Sequence, residues 1–387
     1  MRSLILYLIT AVAAQGPLAL HLFDPSVSPN ARCLDSSLAG YYYRPSATNS
    51  SSWVVFLQGG GACATFADCS ARAKTGLGSS TNWAATFVDD DNLLSPDPTV
   101  NPAFFASHHV YLPYCTGDVH IGSRTEPLNT SWPFYFSGHH NVAALLAAFG
   151  TELGGAFSGA RSLLLAGSSA GGMGAFLNAE FVKARLPAGV ALAPQGGWFF
   201  PEVTLYPVWA AAGNTPVWEA LQGVAELYSP WTIPACGAKF NASFCLSVGN
   251  AFPYITSPAF VAENLVDSNQ VFVQLLAPKA GPRVPAFLAY FHAAMVASLE
   301  QVRARGAPWG LWAPGCVAHT ENLRFERNGT RVAGVSYQEA LAKWAAGGAV
   351  ALEDACADPL PCNPSCPKHW AKQVSAPAGA RGLPAWA

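Results

Sequence analysis

The stretch Ser162 to Ala166 (SLLLA) runs without a charge into Gly167-Ser168-Ser169-Ala170-Gly171, and an Ala-rich segment follows to Leu186. An apolar run, a glycine-flanked serine and a helix-forming segment describe a strand that turns sharply into a helix with the serine at the corner. The glycines are needed because a Cβ at either flank would crowd the neighbouring strand and helix. G-x-S-x-G arises easily by chance in a chain with 35 glycines, so the strand before it and the helix after it are what make it informative. Ser169 then projects from the sheet edge as a candidate nucleophile, and the Ala170 N–H is placed to donate to a developing oxyanion. Ser168 holds the wrong place in the motif for that role.

Other short apolar runs repeat the pattern. Trp53 to Leu57 (WVVFL) leads into Gly59, Gly60 and Gly61; Val110 to Leu112 leads into Pro113; Val271 to Leu276 (VFVQLL) leads into Pro278 and Gly281. Runs this short and apolar on both faces suit buried strands of a largely parallel sheet. The Ala-rich stretches Asn141 to Phe149, Gly171 to Leu186 and Pro285 to Ala304 are expected as crossover helices covering both sheet faces. The fold class is therefore α/β. Length alone admits two or three domains, but no repeat or low-complexity linker divides the chain, so residues 15–387 are expected to form one domain. With 51% hydrophobic and 11% charged residues and a formal net charge of -2, the chain is neither disordered nor a polycationic nucleic-acid binder.

Gln58-Gly59-Gly60-Gly61-Ala62-Cys63 follows an early strand, where a glycine run lets backbone N–H groups approach a substrate oxygen without a side chain intervening. A phosphate loop is the alternative, but the Gly-Lys-Ser/Thr ending is missing. Downstream of Ser169, a general base can come from His292, His319 or His369. His292 sits in an amphipathic run expected to pack as helix, and His369 lies in the Cys- and Pro-rich tail. His319, in the loop Gly315 to Glu321, is the candidate base. The adjacent pairs His108/His109 and His139/His140 point to opposite sides of any strand or helix, so neither makes a metal pair.

Residues 1–14 have a basic start at Arg2 and an apolar run from Leu4 to Ala14, too short to span a bilayer. This reads as a secretory signal peptide cut near Ala14, with a buried N-terminal helix as the alternative. The ten cysteines allow up to five disulfides in an oxidising compartment. Cys63 with Cys69, and Cys236 with Cys245, are close enough to close local loops. Zinc on Cys356, Cys362 and Cys366 is disfavoured by the spacing, and no metal is expected. Sequons at Asn49, Asn129, Asn241 and Asn328 agree with a secreted glycoprotein, extracellular or in a cell wall.

The runs FLQGGGAC, LPYCTGDVHIGS, GSSAGG, CVAHTEN and VAGVSYQEALAKW, followed by CNPSCP, together resemble the pectin acetylesterase/Notum carboxylesterase family, in its order and over about residues 30 to 370. The resemblance implies an α/β-hydrolase fold, a Ser-His-Asp triad and no metal or organic cofactor. It implies removal of acetyl groups from pectin-like polysaccharide, or of a longer acyl chain from a secreted protein, with no nucleic-acid partner. A monomer with no transmembrane segment is expected. Carried over, Ser169 matches the nucleophile, His319 the base, and Gly60, Gly61 and Ala170 the oxyanion hole.

Two positions depart from the family. Taking Val271 to Leu276 as the strand before the acid, the following turn reads Ala277-Pro278-Lys279 and holds no carboxylate. Asp267 would precede that strand, about 20 Å from the expected turn. That reading expects little effect from Asp267→Asn. It leaves three arrangements open: an acid from another loop, a backbone carbonyl orienting His319, or a catalytically impaired binding protein. The second departure is Pro194-Gln195-Gly196-Gly197, where the family shows Ala-Asp-Ser-Gly. Trp198, Phe199 and Phe200, just after it, are candidates either for an acyl pocket or for the aromatic core.

Overall fold

A computed structural model describes residues 16–89, 92–200, 204–211, 221–325, 329–356 and 361–368. The expected signal peptide, the Asn328 sequon and His369 lie outside the described residues.

The strands are β1 (Leu18–Leu22), β2 (Gly40–Arg44), β3 (Ser52–Leu57), β4 (Thr86–Phe87), β5 (His108–Leu112), β6 (Ser162–Ser168) and β7 (Gly189–Gln195). After them come β8 (Phe260–Ala262), β9 (Val266–Asp267), β10 (Gly310–Ala313), β11 (Val317–Ala318), β12 (Arg331–Val332), β13 (Val335–Ser336) and β14 (Ala351–Glu353). Ten of them form one sheet in the order β14-β10-β8-β7-β6-β3-β5-β2-β1-β4. From β14 to β5 every pairing is parallel, and β2, β1 and β4 close that edge antiparallel.

Alternation along the central strands divides the core between two faces. Trp53, Val55 and Leu57 of β3 and Leu163 and Leu165 of β6 enter the larger core. Val54, Phe56, Leu164 and Ala166 enter the other. The helices Gly138–Gly150 and Val284–Arg303 supply Val142, Leu145, Phe149, Phe287 and Phe291 to the first core. The helix Tyr337–Ala345 supplies Tyr337, Leu341 and Trp344 to the second, and a Ser336/Glu339 capping box fixes its start. Buried on both sides, these strands have no polar face to present, which is why they read as unbroken apolar runs.

Two expected elements differ. The segment Gly171 to Leu186 is two helices, Ala170–Leu177 and Ala179–Lys183. Between them the Asn178 amide donates to the carbonyls of Gly174 and His120, each at 3.0 Å. The run Val271 to Leu276 is not a strand. Gln270–Gln274 is a turn of π-helix, and the strand at this point of the fold is β8, which starts eleven residues earlier than expected. An apolar β-branched run a few residues long does not by itself separate a buried strand from a buried helical turn.

All ten cysteines are paired: Cys33–Cys115, Cys63–Cys69, Cys236–Cys245, Cys316–Cys366 and Cys356–Cys362. Both local loops expected from spacing are present. The three C-terminal cysteines considered for zinc are spent in disulfides. Among the described residues no helix is long and apolar enough to cross a membrane.

Candidate active site

Ser169 stands between the end of β6 and the helix Ala170–Leu177 with φ 56° and ψ −121°, a conformation L-residues with a side chain rarely adopt. Neighbouring backbone holds it there. Its N–H donates to the Gln195 carbonyl at the end of β7 (2.8 Å), and its carbonyl accepts from Met173 N–H (2.9 Å). The flanking glycines permit the close approach: a Cβ on Gly167 would lie 2.4 Å from Gly171 O, and one on Gly171 would lie 2.0 Å from Leu57 O. Strain at a corner fixed from both sides is a reason to look for function.

The register between β3 and β6 sets Leu57 opposite Gly167, so the Gly59–Gly61 loop emerges beside Ser169. Gly60 and Gly61 have φ 144° and 69°, values that favour glycine. Among the described residues, the N–H groups of Gly60, Gly61 and Ala170 carry no backbone hydrogen bond. Three anchors hold the loop from behind. Arg72 donates to Gly60 O (2.7 Å), His120 Nε2 donates to Gln58 O (2.9 Å), and the Cys63–Cys69 disulfide closes its far end. Burial lowers the His120 pKa to about 4, so it stays a neutral donor, and burial raises Asp118 beside it to about 6 against its hydrogen bonds. The run LPYCTGDVHIGS is thus a buried brace for the glycine loop.

His319 Nε2 lies 2.7 Å from Ser169 Oγ, and His319 Nδ1 lies 2.5 Å from Asp267 Oδ2. This corrects the sequence-derived placement of Asp267. Beyond β8 the chain does not turn back but follows β10 outward: Glu263 N–H donates to Trp312 O, Leu265 N–H to Pro314 O, and Val266 N–H to Cys316 O. The two segments then pair as β9 and β11, with Asp267 opposite Ala318 and His319 one residue further on. Asp267 is fully buried, and its other oxygen accepts from Gln270 N–H at 2.8 Å. With Nδ1–H donated to the carboxylate, Nε2 is free to accept the serine proton. The Asn264 amide holds His319 O at 2.6 Å, and Glu321 accepts from His319 N–H at 3.0 Å. Burial pulls the His319 pKa down, but the charge and hydrogen bond of Asp267, with Glu321 adding, carry it above its ordinary value.

The remaining candidates separate cleanly. His292 lies within the helix Val284–Arg303. His108 stacks on Trp53 and shares a hydrogen bond with Tyr43 Oη, while His109 turns to Phe104 O on the other face. In the Pro194-Gln195-Gly196-Gly197 segment, Gln195 exchanges hydrogen bonds with Asn92 and donates to Tyr337 Oη (3.0 Å). Gly196, at φ 55°, lets Thr320 and His319 lie against it. Trp198 packs on Phe176 and Phe252, and Phe200 on Phe291, so both belong to the core. Phe199 alone of the three stands edge-on to His319, 6.4 Å between ring centroids.

A serine on a strained strand–helix corner, a histidine on its oxygen and a buried carboxylate behind the histidine form an acyl-transfer constellation. The pectinacetylesterase family profile matches residues 11–367. The chain belongs to that family. It is 28% identical to pectin acetylesterase 5 of Arabidopsis thaliana, covering 90% of this chain and 84% of the relative. It is 29% identical to the palmitoleoyl-protein carboxylesterase NOTUM of Homo sapiens, covering 94% and 75%. The match to Drosophila melanogaster NOTUM is 30% identical over 81% of this chain but spans only 46% of that protein. The crystal structure of the Wnt deacylase Notum from Drosophila superposes with a TM-score of 0.78 at 26% identity, covering 91% of this chain and all of that one. This pectinacetylesterase family member is a carboxylic ester hydrolase with an α/β-hydrolase fold.

Proposed function

We propose that this chain is a secreted serine esterase that removes short acyl groups, acetyl above all, from a pectin-like polysaccharide. The observation that carries the catalytic part is the unbroken hydrogen-bonded chain Ser169–His319–Asp267 at the carboxyl ends of the parallel strands. Ser169 Oγ attacks the ester carbonyl as His319 Nε2 takes its proton. The oxyanion is held by the N–H groups of Gly60, Gly61 and Ala170. The tetrahedral species collapses to an acyl-serine, and His319 returns the proton to the departing sugar hydroxyl. Water, deprotonated by the same nitrogen, then releases the acid. Asp267 keeps the imidazole in the right tautomer and stabilises its positive charge.

The preference for a short acyl group is supported by the pectinacetylesterase family profile and the Arabidopsis pectin acetylesterase relative; Phe199, buried and edge-on to His319, is the aromatic side chain beside the reacting atoms. Secretion is supported by the leader-like residues 1–14, by the sequons and by the full pairing of cysteines. A longer acyl group on a protein, as the NOTUM relatives' names describe, is the alternative the test must separate.

The test is hydrolysis of p-nitrophenyl acetate, butyrate and octanoate, together with acetate release from acetylated pectin, in wild type and Ser169→Ala. Acetate and butyrate should be preferred, and the alanine variant should lose at least about 10³-fold in activity with an unchanged melting temperature. A sharp optimum at octanoate would move the substrate to a lipidated protein. Full activity in a folded Ser169→Ala protein would remove the serine from the mechanism.

A further inference from the structure

Glu263 is a fully buried carboxyl four residues before Asp267, and the acyl-transfer chemistry above gives it no task. Its Oε2 accepts from Trp198 N–H at 2.8 Å. Its Oε1 is buried and, among the described residues, receives no donor; the neighbour its carboxyl engages is the Asp267 side chain. Trp198 O in turn accepts from the Gln270 amide at 3.1 Å, and Gln270 N–H donates to Asp267 Oδ1 at 2.8 Å. Glu263, Trp198, Gln270 and Asp267 thus form one buried circuit, which joins the triad carboxylate to the turn that carries Phe199.

The charges around this circuit are unbalanced. From its own segment Glu263 faces the Asp267 carboxylate, with the Asn264 N–H as a weaker stabilising neighbour. The β11 loop brings His319, already engaged by Asp267, and Glu321, a further acid on His319 N–H. The turn at Trp198 offers only a peptide N–H, the helix behind Trp198 presents Ser298 to its indole, and β10 presents the Trp312 carbonyl. Two ionised carboxylates in such a place would repel one another, and only Asp267, through His319 and Gln270 N–H, has partners that offset its desolvation. His319 bonds directly to Asp267, so the proton belongs on Glu263. Burial and the Asp267 charge push its pKa well above the ordinary carboxylate value.

On the reading of Ser169, His319 and Asp267 given above, we propose that Glu263 is a positioning residue that works as a neutral acid: the Glu263–Asp267 pair carries one negative charge, and Glu263 sets the Trp198 turn and the triad carboxylate as a single unit. Glutamine reproduces the neutral form, with an oxygen for Trp198 N–H and no charge. Leucine fills similar space and leaves that N–H unpaired.

The experiment compares wild type, Glu263→Gln and Glu263→Leu in kcat/KM for p-nitrophenyl acetate and in reversible denaturation across pH. Glu263→Gln should keep kcat/KM within about threefold at neutral pH, whereas Glu263→Leu should lose about 10- to 100-fold for the unpaired N–H. The stability curves add a readout that packing alone would not move. A carboxyl raised in the folded state contributes stability that is fully present below its unfolded pKa, near the ordinary 4.5, and falls as pH rises toward the folded pKa. Over that window the folded-to-unfolded ratio of Glu263→Gln should gain on wild type by up to about tenfold per pH unit. Parallel curves for the two proteins, a glutamine variant as impaired as the leucine one, or one that does not fold, would each overturn the proposal. Wild-type protein inert to every ester would instead refute the esterase reading, and the two stability curves would still decide the charge state of Glu263.

Discussion

Asp267→Asn is the substitution on which the triad assignment turns. The asparagine fits the fully buried site, and its oxygen can still accept the 2.8 Å bond from Gln270 N–H. On the His319 side, the carboxylate oxygen 2.5 Å from Nδ1 is replaced by an amide NH₂ that donates where Nδ1–H had donated. The ring answers by moving its proton to Nε2, which then points a hydrogen at Ser169 Oγ, 2.7 Å away, and no longer accepts one. The variant loses both the correct tautomer and the charge that stabilises the imidazolium. In a triad on a different fold this change costs about 10⁴ in turnover, or about 5 kcal/mol of barrier. We expect a loss of 10³- to 10⁴-fold here, roughly that magnitude.

The pH profile gives a second signature. His319 must be neutral to act as base, so the wild-type rate rises with pH through a midpoint above the ordinary 6.5. Without Asp267 the main upward influence on that midpoint is gone while burial still depresses it, and the acid limb of the residual rate moves to lower pH. Stability follows the same linkage. The raised His319 pKa contributes stability present below the unfolded value and lost as pH climbs through the folded one, and the asparagine variant should lack that contribution. The assay is kcat/KM for p-nitrophenyl acetate across pH, run beside His319→Ala, with fluorophosphonate labelling to count sites. A loss under about tenfold with an unmoved acid limb would take Asp267 out of the triad and reinstate a dyad.

Other outcomes concern the scaffold. Gly171→Ala places a Cβ 2.0 Å from Leu57 O and 2.8 Å from Gln58 O, both backbone. It should destabilise the fold by about 1–3 kcal/mol or more, read as a lower melting temperature; an unchanged melt would mean that the β3–helix approach is looser than described. Replacing Cys33 and Cys115 together by serine opens a loop of sequence separation 82, and the chain-entropy relation gives a loss of about 4–5 kcal/mol by denaturant titration.

The sequence made the centre of the site legible and its flank illegible, for physical reasons. Ser169 and the Gly59–Gly61 run announce themselves because a strained corner and a close backbone approach tolerate few residue types. The runs WVVFL and SLLLA read as strands because both their faces are buried. Asp267 escaped because VFVQLL, half-buried and mostly in a π-helical turn, has the composition of a strand, whereas the true strand Phe260–Ala262 is three residues long. Once the strand was misplaced, the acid appeared to lie at the wrong end of the sheet. Glu263 gave no signal, since a lone carboxyl in an apolar stretch does not disclose its neighbours. The spacing of Cys63 and Cys69 did disclose a loop, because six residues leave the two thiols little freedom to find other partners.

The β9–β11 ladder also sets terms for anyone who would move this site to another scaffold. Asp267 and His319 ride on two segments that leave the sheet side by side, with Val266 on Val317 and Asp267 on Ala318. Adding or deleting one residue in either segment alone would shift one partner along the ladder and turn its side chain to the opposite face. Residues 263–267 and 314–319 therefore behave as one transplantable cassette. In such a graft their lengths can change only together, and homologous loops exchanged singly should yield folded proteins whose histidine has lost its carboxylate.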